Sequence, residues 1–284
     1  MTFGKIDAHH HLWDPGRRDY PWMAGDALAP IRKPYDLADL TRHTAAAGVD
    51  RTVLVQTISS HAETLEFLTT ASASGGLIAG VVGWLDLTAP DVADRLAELR
   101  AGPGGDLLVG VRHQVQDESD PEWLSRPDVR AGLRAIADAG LVYDLLVLVH
   151  QLPMAIQTVR DLPELRFVLD HAAKPSIAAG MIEPWATHLK TLSDEPNVSC
   201  KLSGLVTEAS WTSWRPGDIA PYSARVLECF GPSRVMFGSD WPVCELAATY
   251  PQVVELAATV TAHLAPEERA RIFTGTAIDW YGLA

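Results

Sequence analysis

Short apolar runs rich in β-branched residues recur along the chain, and amphipathic stretches rich in Ala and Leu separate them. Several runs are almost continuously hydrophobic, as expected for strands that are buried on both faces of a parallel sheet. The pattern predicts eight strands, at residues 5–12, 51–56, 77–84, 107–113, 141–146, 166–170, 197–201 and 235–239.

The stretches between these runs carry the residues that begin and end helices. Gly48, Gly102 and Gly140 follow three of them, and Pro127 and Pro153 begin two, which is the usual asymmetry of helix ends. Helices are predicted at residues 36–47, 61–74, 90–100, 127–139, 153–162, 184–193, 220–230 and 246–264, followed by a short helix at 266–273 with Trp280 and Tyr281 as anchors.

Eight strand–helix units are the number found in a (β/α)₈ TIM barrel, so we predict an α/β fold with one domain over residues 1–284. The alternative is an open doubly wound sheet. That fold usually carries a Gly-rich phosphate loop after its first strand, where this chain has three histidines instead.

Composition and charge narrow the range of partners. The 284 residues are 47% hydrophobic and carry a formal net charge of −13, which favours a large core and disfavours nucleic acid. The three cysteines, Cys200, Cys229 and Cys244, lack C-x-x-C spacing, which argues for the reducing cytoplasm. No signal peptide or membrane-spanning run is predicted, and a homo-oligomer remains open.

The first strand carries the most informative polar residues. In a strand, His9 and His11 point the same way with Asp7 behind them, and His10 points to the opposite face. Two imidazoles on one face suit a divalent metal. A chance cluster or a tag remnant is the alternative, but apolar residues flank the histidines on both sides.

Barrel enzymes place their chemistry at the carboxyl ends of the strands, and polar residues concentrate there in this sequence. Burying so many charges without partners is costly, which favours a functional site. Each residue also has a structural explanation. His171 could be a buried core histidine, and Asp240 could cap a helix. Arg112 and Lys201 could form structural ion pairs with Asp144 and Asp170. The strand ends carry Gln56; Trp84 and Asp86; Arg112, His113, Gln114 and Gln116; Asp144; Asp170, His171 and Lys174; Lys201; and Ser239, Asp240 and Trp241.

Two loops are longer than a simple connection requires. Residues 14–34 follow strand one and residues 203–221 follow strand seven, and both contain aromatic and charged residues. Because both leave the carboxyl end of a strand, we predict that they cover the substrate.

The motifs together resemble a known family. They are DAHHH at 7–11, LWDP at 12–15, GVRH at 110–113, LDH at 169–171, KLSG at 201–204 and FGSDWP at 237–242. The chain is similar to the amidohydrolase superfamily, and within it to the amidohydrolase-related branch of sugar lactonases of the L-fuconolactonase and L-rhamnonolactonase type. The resemblance runs in order over essentially the whole chain.

This resemblance implies hydrolysis of a sugar-acid lactone by an activated water. Asp240 would be the general base, and His9, His11, His171 and Asp240 would hold one divalent metal. The donors suit Zn²⁺, with Mn²⁺ as an alternative, and metal-free catalysis stays open. Binuclear relatives have a carboxylated Lys or a Glu on strand four and a His on strand five. This chain lacks both, so we expect one metal at most.

The other roles follow from the same interpretation. His171 and Lys201 complete the catalytic set with Asp240, and the cations of Arg112 and Lys201 stabilise developing negative charge. A metal-dependent decarboxylase, a hydrolase of another cyclic ester and a non-catalytic binding protein are the alternatives. The predicted substrate-binding residues are Arg112, His113, Trp84, Trp241 and Trp22.

Overall fold

The computed structural model describes residues 4–283, in which eight parallel strands form one sheet in sequential order from β1 to β8. Backbone hydrogen bonds from His11 N to Trp241 O (2.7 Å) and from Asp240 N to His9 O (2.8 Å) join the last strand end to the first. The sheet thus curls into a barrel, and the predicted (β/α)₈ fold is confirmed. The strands are β1 (Lys5–His10), β2 (Val49–Val55), β3 (Ile78–Gly83), β4 (Leu108–His113), β5 (Val142–Leu145), β6 (Arg166–Leu169), β7 (Val198–Leu202) and β8 (Val235–Phe237).

Helices follow the strands and cover the outside of the barrel. Most begin and end within two residues of the predicted bounds. The α-helices are α1 (Leu37–Ala47), α2 (His61–Ser72), α3 (Val92–Ala101), α4 (Pro127–Asp138), α5 (Leu152–Asp161), α6 (Trp185–Ser193), α7 (Leu205–Glu208), α8 (Pro216–Phe230), α9 (Tyr250–Val260), α10 (Pro266–Ala270) and α11 (Thr276–Tyr281).

Helices α8, α9 and α10 differ from the predicted bounds by more than two residues, and α10 ends at Ala270 rather than at residue 273. Helix α9 begins at Tyr250 rather than at residue 246, because the Thr249 backbone N–H donates to the Gln252 side chain (2.8 Å) and caps a new helix there. Helix α8 begins at Pro216, four residues earlier than predicted, since Pro suits the first turn of a helix. The loop after β7 is therefore shorter than predicted.

The interior of the barrel is separate from the layer between strands and helices. Tyr143 and Leu145 of β5 pack outward against the helices, whereas Val142 packs inward. The C-terminal residues Ala277, Tyr281 and Leu283 close the amino-terminal end of this interior. We call its apolar part the lower interior; it consists of Ile6, Ala8, Val53, Val55, Val82, Val142, Val168 and Met236.

Within residues 4–283, no helix is long and apolar enough to cross a membrane. All three cysteines are unpaired, and Cys200 and Cys244 are buried.

Candidate active site

The histidines of β1 divide between two faces. The Nε2 atoms of His9 and His11 lie 3.2 Å apart at the carboxyl end of the barrel, while His10 turns away and its Nε2 contacts Thr52 Oγ1 at 2.9 Å. The strand shifts register between Asp7 and His10, so Asp7 does not lie behind the two imidazoles as predicted. Its carboxylate instead accepts a hydrogen bond from Tyr250 of α9 (3.0 Å).

Asp7 joins the ends of β1 and β8. It accepts hydrogen bonds from the backbone N–H of Ser239 (2.8 Å) and from the Ser239 hydroxyl (2.6 Å). Burial raises the pKa of Asp7 to about 6, although these hydrogen bonds oppose the rise. Asp240, which follows Ser239 in the chain, has a left-handed backbone with φ of 56°, which is uncommon for a non-glycine residue. These contacts place the Asp240 carboxylate beside the histidines.

His171 stands on an unusual stretch of backbone after β6. Its φ is 51°, and the next three residues through Lys174 are also left-handed. Such backbone costs on the order of 1–3 kcal/mol per residue and concentrates at functional sites. A Cβ at Gly204 would lie 2.6 Å from His171 Nδ1, so only glycine leaves room for the ring. The Nδ1 atom contacts Ser203 Oγ at 2.9 Å, which turns Nε2 toward Asp240.

Three imidazoles converge on one carboxylate oxygen. Asp240 Oδ1 lies 3.7 Å from His9 Nε2, 3.5 Å from His11 Nε2 and 3.8 Å from His171 Nε2. His11 Nδ1 donates to the Val55 carbonyl (2.8 Å), which leaves its Nε2 free of a proton in the neutral ring.

This donor set fits a single divalent metal. Tetrahedral bonds of about 2.0–2.2 Å place neighbouring ligand atoms roughly 3.3–3.6 Å apart, close to the separations observed here. The buried lone pair of His11 Nε2 faces His9 Nε2 at 3.2 Å, where a cation between them would be stabilising. His9, His11 and Asp240 therefore form a candidate metal site, and His171 Nε2 lies 3.8 Å from the same Asp240 oxygen.

The protonation states suit the same role. Burial lowers the pKa of all three imidazoles, to about 4 for His171, so they are neutral near pH 7 and free to bind a metal. Burial raises the pKa of Asp240, but the imidazoles of His171 and His11 and the ammonium of Lys174 favour the charged carboxylate and hold that pKa below its usual value. The carboxylate is therefore ionised.

An ionic network lies beneath these ligands. Lys201 Nζ contacts Asp144 (2.5 Å), Asp170 (2.9 Å) and His9 Nδ1 (3.0 Å), and Lys201 is fully buried. Two of its N–H groups bond to the carboxylates, and His9 Nδ1 also lies 3.3 Å from Asp170 Oδ1, so a proton on Nδ1 can bond there and leave Nε2 free for a metal. The prediction that Lys201 acts directly in catalysis is corrected: it supports His9 from below and does not line the pocket.

Arg112 joins this network from β4. Its Nε and Nη2 groups donate to Gln56, and its Nη1 donates to Asp170 at 2.9 Å. Asp170 accepts from both Arg112 and Lys201. Burial would raise the pKa of Asp170, but these cations and His9 hold it well below its usual value. Arg112 and Lys201 therefore form the ion-pair set with Asp144 and Asp170 that the sequence left as one alternative.

A pocket of about 470 Å³, including the solvent in its mouth, opens above the ligands. Trp22 reaches its wall from the predicted covering loop 14–34. The described residues of loop 203–221 do not line it. Gln114, Gln116 and Lys174 are predicted at strand ends without an assigned role, and no sequence motif marks Thr57 as a pocket residue. The lining residues are His11, Trp22, Thr57, Arg112, Gln114, Gln116, Leu146, His171, Lys174, Asp240 and Val243.

Three predicted substrate-binding residues lie outside this wall. His113 stacks on Trp123 with ring centroids 4.2 Å apart and accepts a hydrogen bond from Trp84 Nε1 (3.0 Å). Trp241 is fully buried against Tyr35, and its Nε1 donates to a glutamate of the following turn. His113, Trp84 and Trp241 therefore pack behind the strand ends, because side chains at these positions face the outer layer.

The chain belongs to the amidohydrolase family, whose model, described as Amidohydrolase, matches residues 6–283. This confirms the resemblance seen in the motifs. A protein of Burkholderia ambifaria named L-fucono-1,5-lactonase is 37% identical over 289 residues, covering 99% of this chain and 96% of that protein. A protein of the same name from Burkholderia multivorans is 38% identical over 294 residues, covering 98% and 96%.

A solved structure shares the fold over nearly the whole length. It is described as an amidohydrolase from Burkholderia multivorans with bound zinc, and it superposes with a TM-score of 0.92 at 36% identity, covering 99% of each chain.

Proposed function

We propose that this protein hydrolyses the ring ester of a sugar-acid lactone. The observation that carries the proposal is the convergence of His9, His11 and His171 on one oxygen of Asp240 at the wall of an open pocket. The relatives named L-fucono-1,5-lactonase match this chain from end to end, which supports a lactone of that kind as the substrate.

Asp240 is the proton carrier of this reaction. Its ionised carboxylate accepts a proton from the attacking water as oxygen bonds to the lactone carbonyl carbon. When the ring C–O bond breaks, the same carboxyl returns the proton to the leaving alkoxide, which becomes the product's hydroxyl. Water is consumed, and the products are one carboxylic acid and one alcohol on the same molecule.

The histidines serve this step by holding a metal. A divalent ion, for which we propose zinc, would polarise the lactone carbonyl and make the attacking water more acidic. Zinc is preferred because three neutral imidazoles and one carboxylate are ligands that it binds well. The zinc-bound structure of the Burkholderia multivorans relative supports the same choice.

The rest of the pocket orients the ring. Lys174, Gln114 and Gln116 supply polar groups suited to ring hydroxyls, and Trp22 supplies a flat apolar face for ring C–H groups. Arg112 adds positive charge, but its donors are already bonded to Gln56 and Asp170.

The test is a panel of sugar lactones, including L-fucono-1,5-lactone and L-rhamnono-γ-lactone, assayed by acid release. Spontaneous ring opening is measured in a sample without protein and subtracted. We expect enzymatic opening of at least one member, and loss of that activity after chelation with recovery on adding zinc. Acid release no faster than without protein on every lactone would reject the proposal.

A further inference from the structure

The C-terminal helix reaches the active site from the opposite end of the barrel. Tyr281 is the last residue of α11 and is buried among the side chains of the lower interior. Residues 277–283 thus form the floor of the barrel, whereas the pocket opens at its other end.

Tyr281 contacts the floor of the ionic network in two ways. Its hydroxyl lies 2.9 Å from each oxygen of Asp144, and its ring lies under the ammonium of Lys201, with 5.5 Å from Nζ to the ring centroid. The phenol therefore touches both members of the Asp144–Lys201 ion pair, which is fully buried.

A continuous set of contacts runs from this phenol to the candidate metal site. Asp144 holds Lys201 Nζ at 2.5 Å, and the same Nζ lies 3.0 Å from Nδ1 of His9. The other nitrogen of that ring, Nε2, faces His11 and Asp240. A shift of Asp144 would therefore move Lys201, and a shift of Lys201 would move the ring that presents Nε2 to the site.

We propose that Tyr281 is a positioning residue for the active site, which it serves by fixing Asp144 and Lys201 and, through them, the orientation of His9. The inference rests on the proposed lactonase function for its kinetic test and on the candidate metal site for its binding test. Outer partners of metal-binding histidines commonly change metal affinity or activity by about 10- to 100-fold when they are removed.

The experiment is Tyr281→Phe, which removes one hydroxyl oxygen and keeps the ring. We expect kcat for the lactone to fall about 10-fold or more, with KM changed less than about 3-fold because Tyr281 does not line the pocket. We also expect the zinc dissociation constant of the purified protein to rise about 10-fold.

Tyr143→Phe is the matched control. Tyr143 is also fully buried, but its hydroxyl has no hydrogen-bond partner in the described structure and packs in the outer layer. It should leave kcat and zinc affinity near those of the wild type. Equal effects of the two substitutions, or a Tyr281→Phe protein with wild-type kcat and zinc affinity, would overturn the inference.

A double variant tests the route through Asp144. If Tyr281 acts by holding this carboxylate, Tyr281→Phe should add less than about 2-fold to the loss in kcat caused by Asp144→Asn. If the losses in kcat of the two single variants multiply in the double variant, the route through Asp144 is contradicted. If the wild-type protein opens no lactone, the proposed function fails, yet the zinc affinities of the single variants still decide whether Tyr281 supports the metal site.

Discussion

The lower and upper parts of the barrel interior differ in chemistry although the same strands build both. On β5, Val142 and Asp144 are two residues apart and face inward, but the first lies among apolar side chains and the second binds Lys201. The same change occurs from Val168 of β6, which lies among apolar side chains, to Asp170 just after the strand, which binds Lys201. We call the polar part the upper interior; it consists of His9, Arg112, Asp144, Asp170 and Lys201.

This difference separates the residues that stabilise the barrel from the residues that support its active site. Valines in the lower interior stabilise the fold simply by leaving water. Buried ions carry a large desolvation cost that pairing only partly offsets, and apolar residues of similar volume are often as stable. Apolar side chains of matching volume would therefore serve stability as well as these ions do, so the upper interior is explained by the site that it supports.

The largest effect is expected from Asp240→Asn. Asn cannot accept the proton of the attacking water, so we expect kcat to fall by roughly 10²- to 10⁴-fold. The thermal midpoint should stay the same or rise, because a buried charge is replaced by a neutral group of the same shape. Steady-state kinetics and thermal unfolding of the same preparation measure both quantities. Retention of kcat within 10-fold would reject Asp240 as the base.

Next in size is the contrast between two neighbouring histidines. His11→Ala removes a metal ligand, and we expect at least about 100-fold weaker zinc binding, since even outer partners of such ligands cost 10- to 100-fold. His10→Ala removes a buried ring of the outer layer, so it should lower stability by about 1–3 kcal/mol while zinc affinity stays within a few-fold. Isothermal titration with zinc measures both variants, and equal losses would show that the division between the faces is wrong.

This division was predictable from the sequence, because alternation along a strand needs only the spacing of His9, His10 and His11. The eight strands were predictable for a similar reason, since near-continuous apolar runs mark strands buried on both faces. The prediction failed for Asp7, where the register shift in β1 turns the side chain toward α9. A register shift depends on neighbouring strands and leaves no local signal.

The distance of each side chain from the pocket could not be predicted from the sequence either. Lys201 and Trp241 were correctly placed at strand ends, but their distance from the pocket depends on which face each strand end presents. The left-handed segment that begins at His171 is set by tertiary contacts such as that with Gly204, a residue 33 positions further along the chain. Tyr281 was predicted as an anchor, and its hydrogen bond to Asp144 joins residues 137 positions apart.

Lys201→Met tests whether the upper interior supports the site without contacting substrate. The substitution leaves Asp144 and Asp170 without a shared cation, so we expect a loss of about 3–5 kcal/mol in the free energy of unfolding. The loss of support for His9 should lower kcat by about 10- to 100-fold with KM little changed. Denaturant unfolding and steady-state kinetics check the two effects. A rise in KM alone would instead indicate that Lys201 binds substrate.

Val142→Ala is the matching change in the lower interior, on the same strand and face as Asp144. The substitution removes two buried methyl groups, whose burial contributes about 0.8 kcal/mol each, and it leaves a cavity. We therefore expect a loss of about 2 kcal/mol in the free energy of unfolding. Because Val142 lies in the apolar cluster of the lower interior, kcat and zinc affinity should stay within about 2-fold of the wild type. Denaturant unfolding together with kinetics checks this. A large fall in kcat at unchanged stability would mean that the two parts of the interior are not separate in function. A change in packing among the valines would then alter the position of His9.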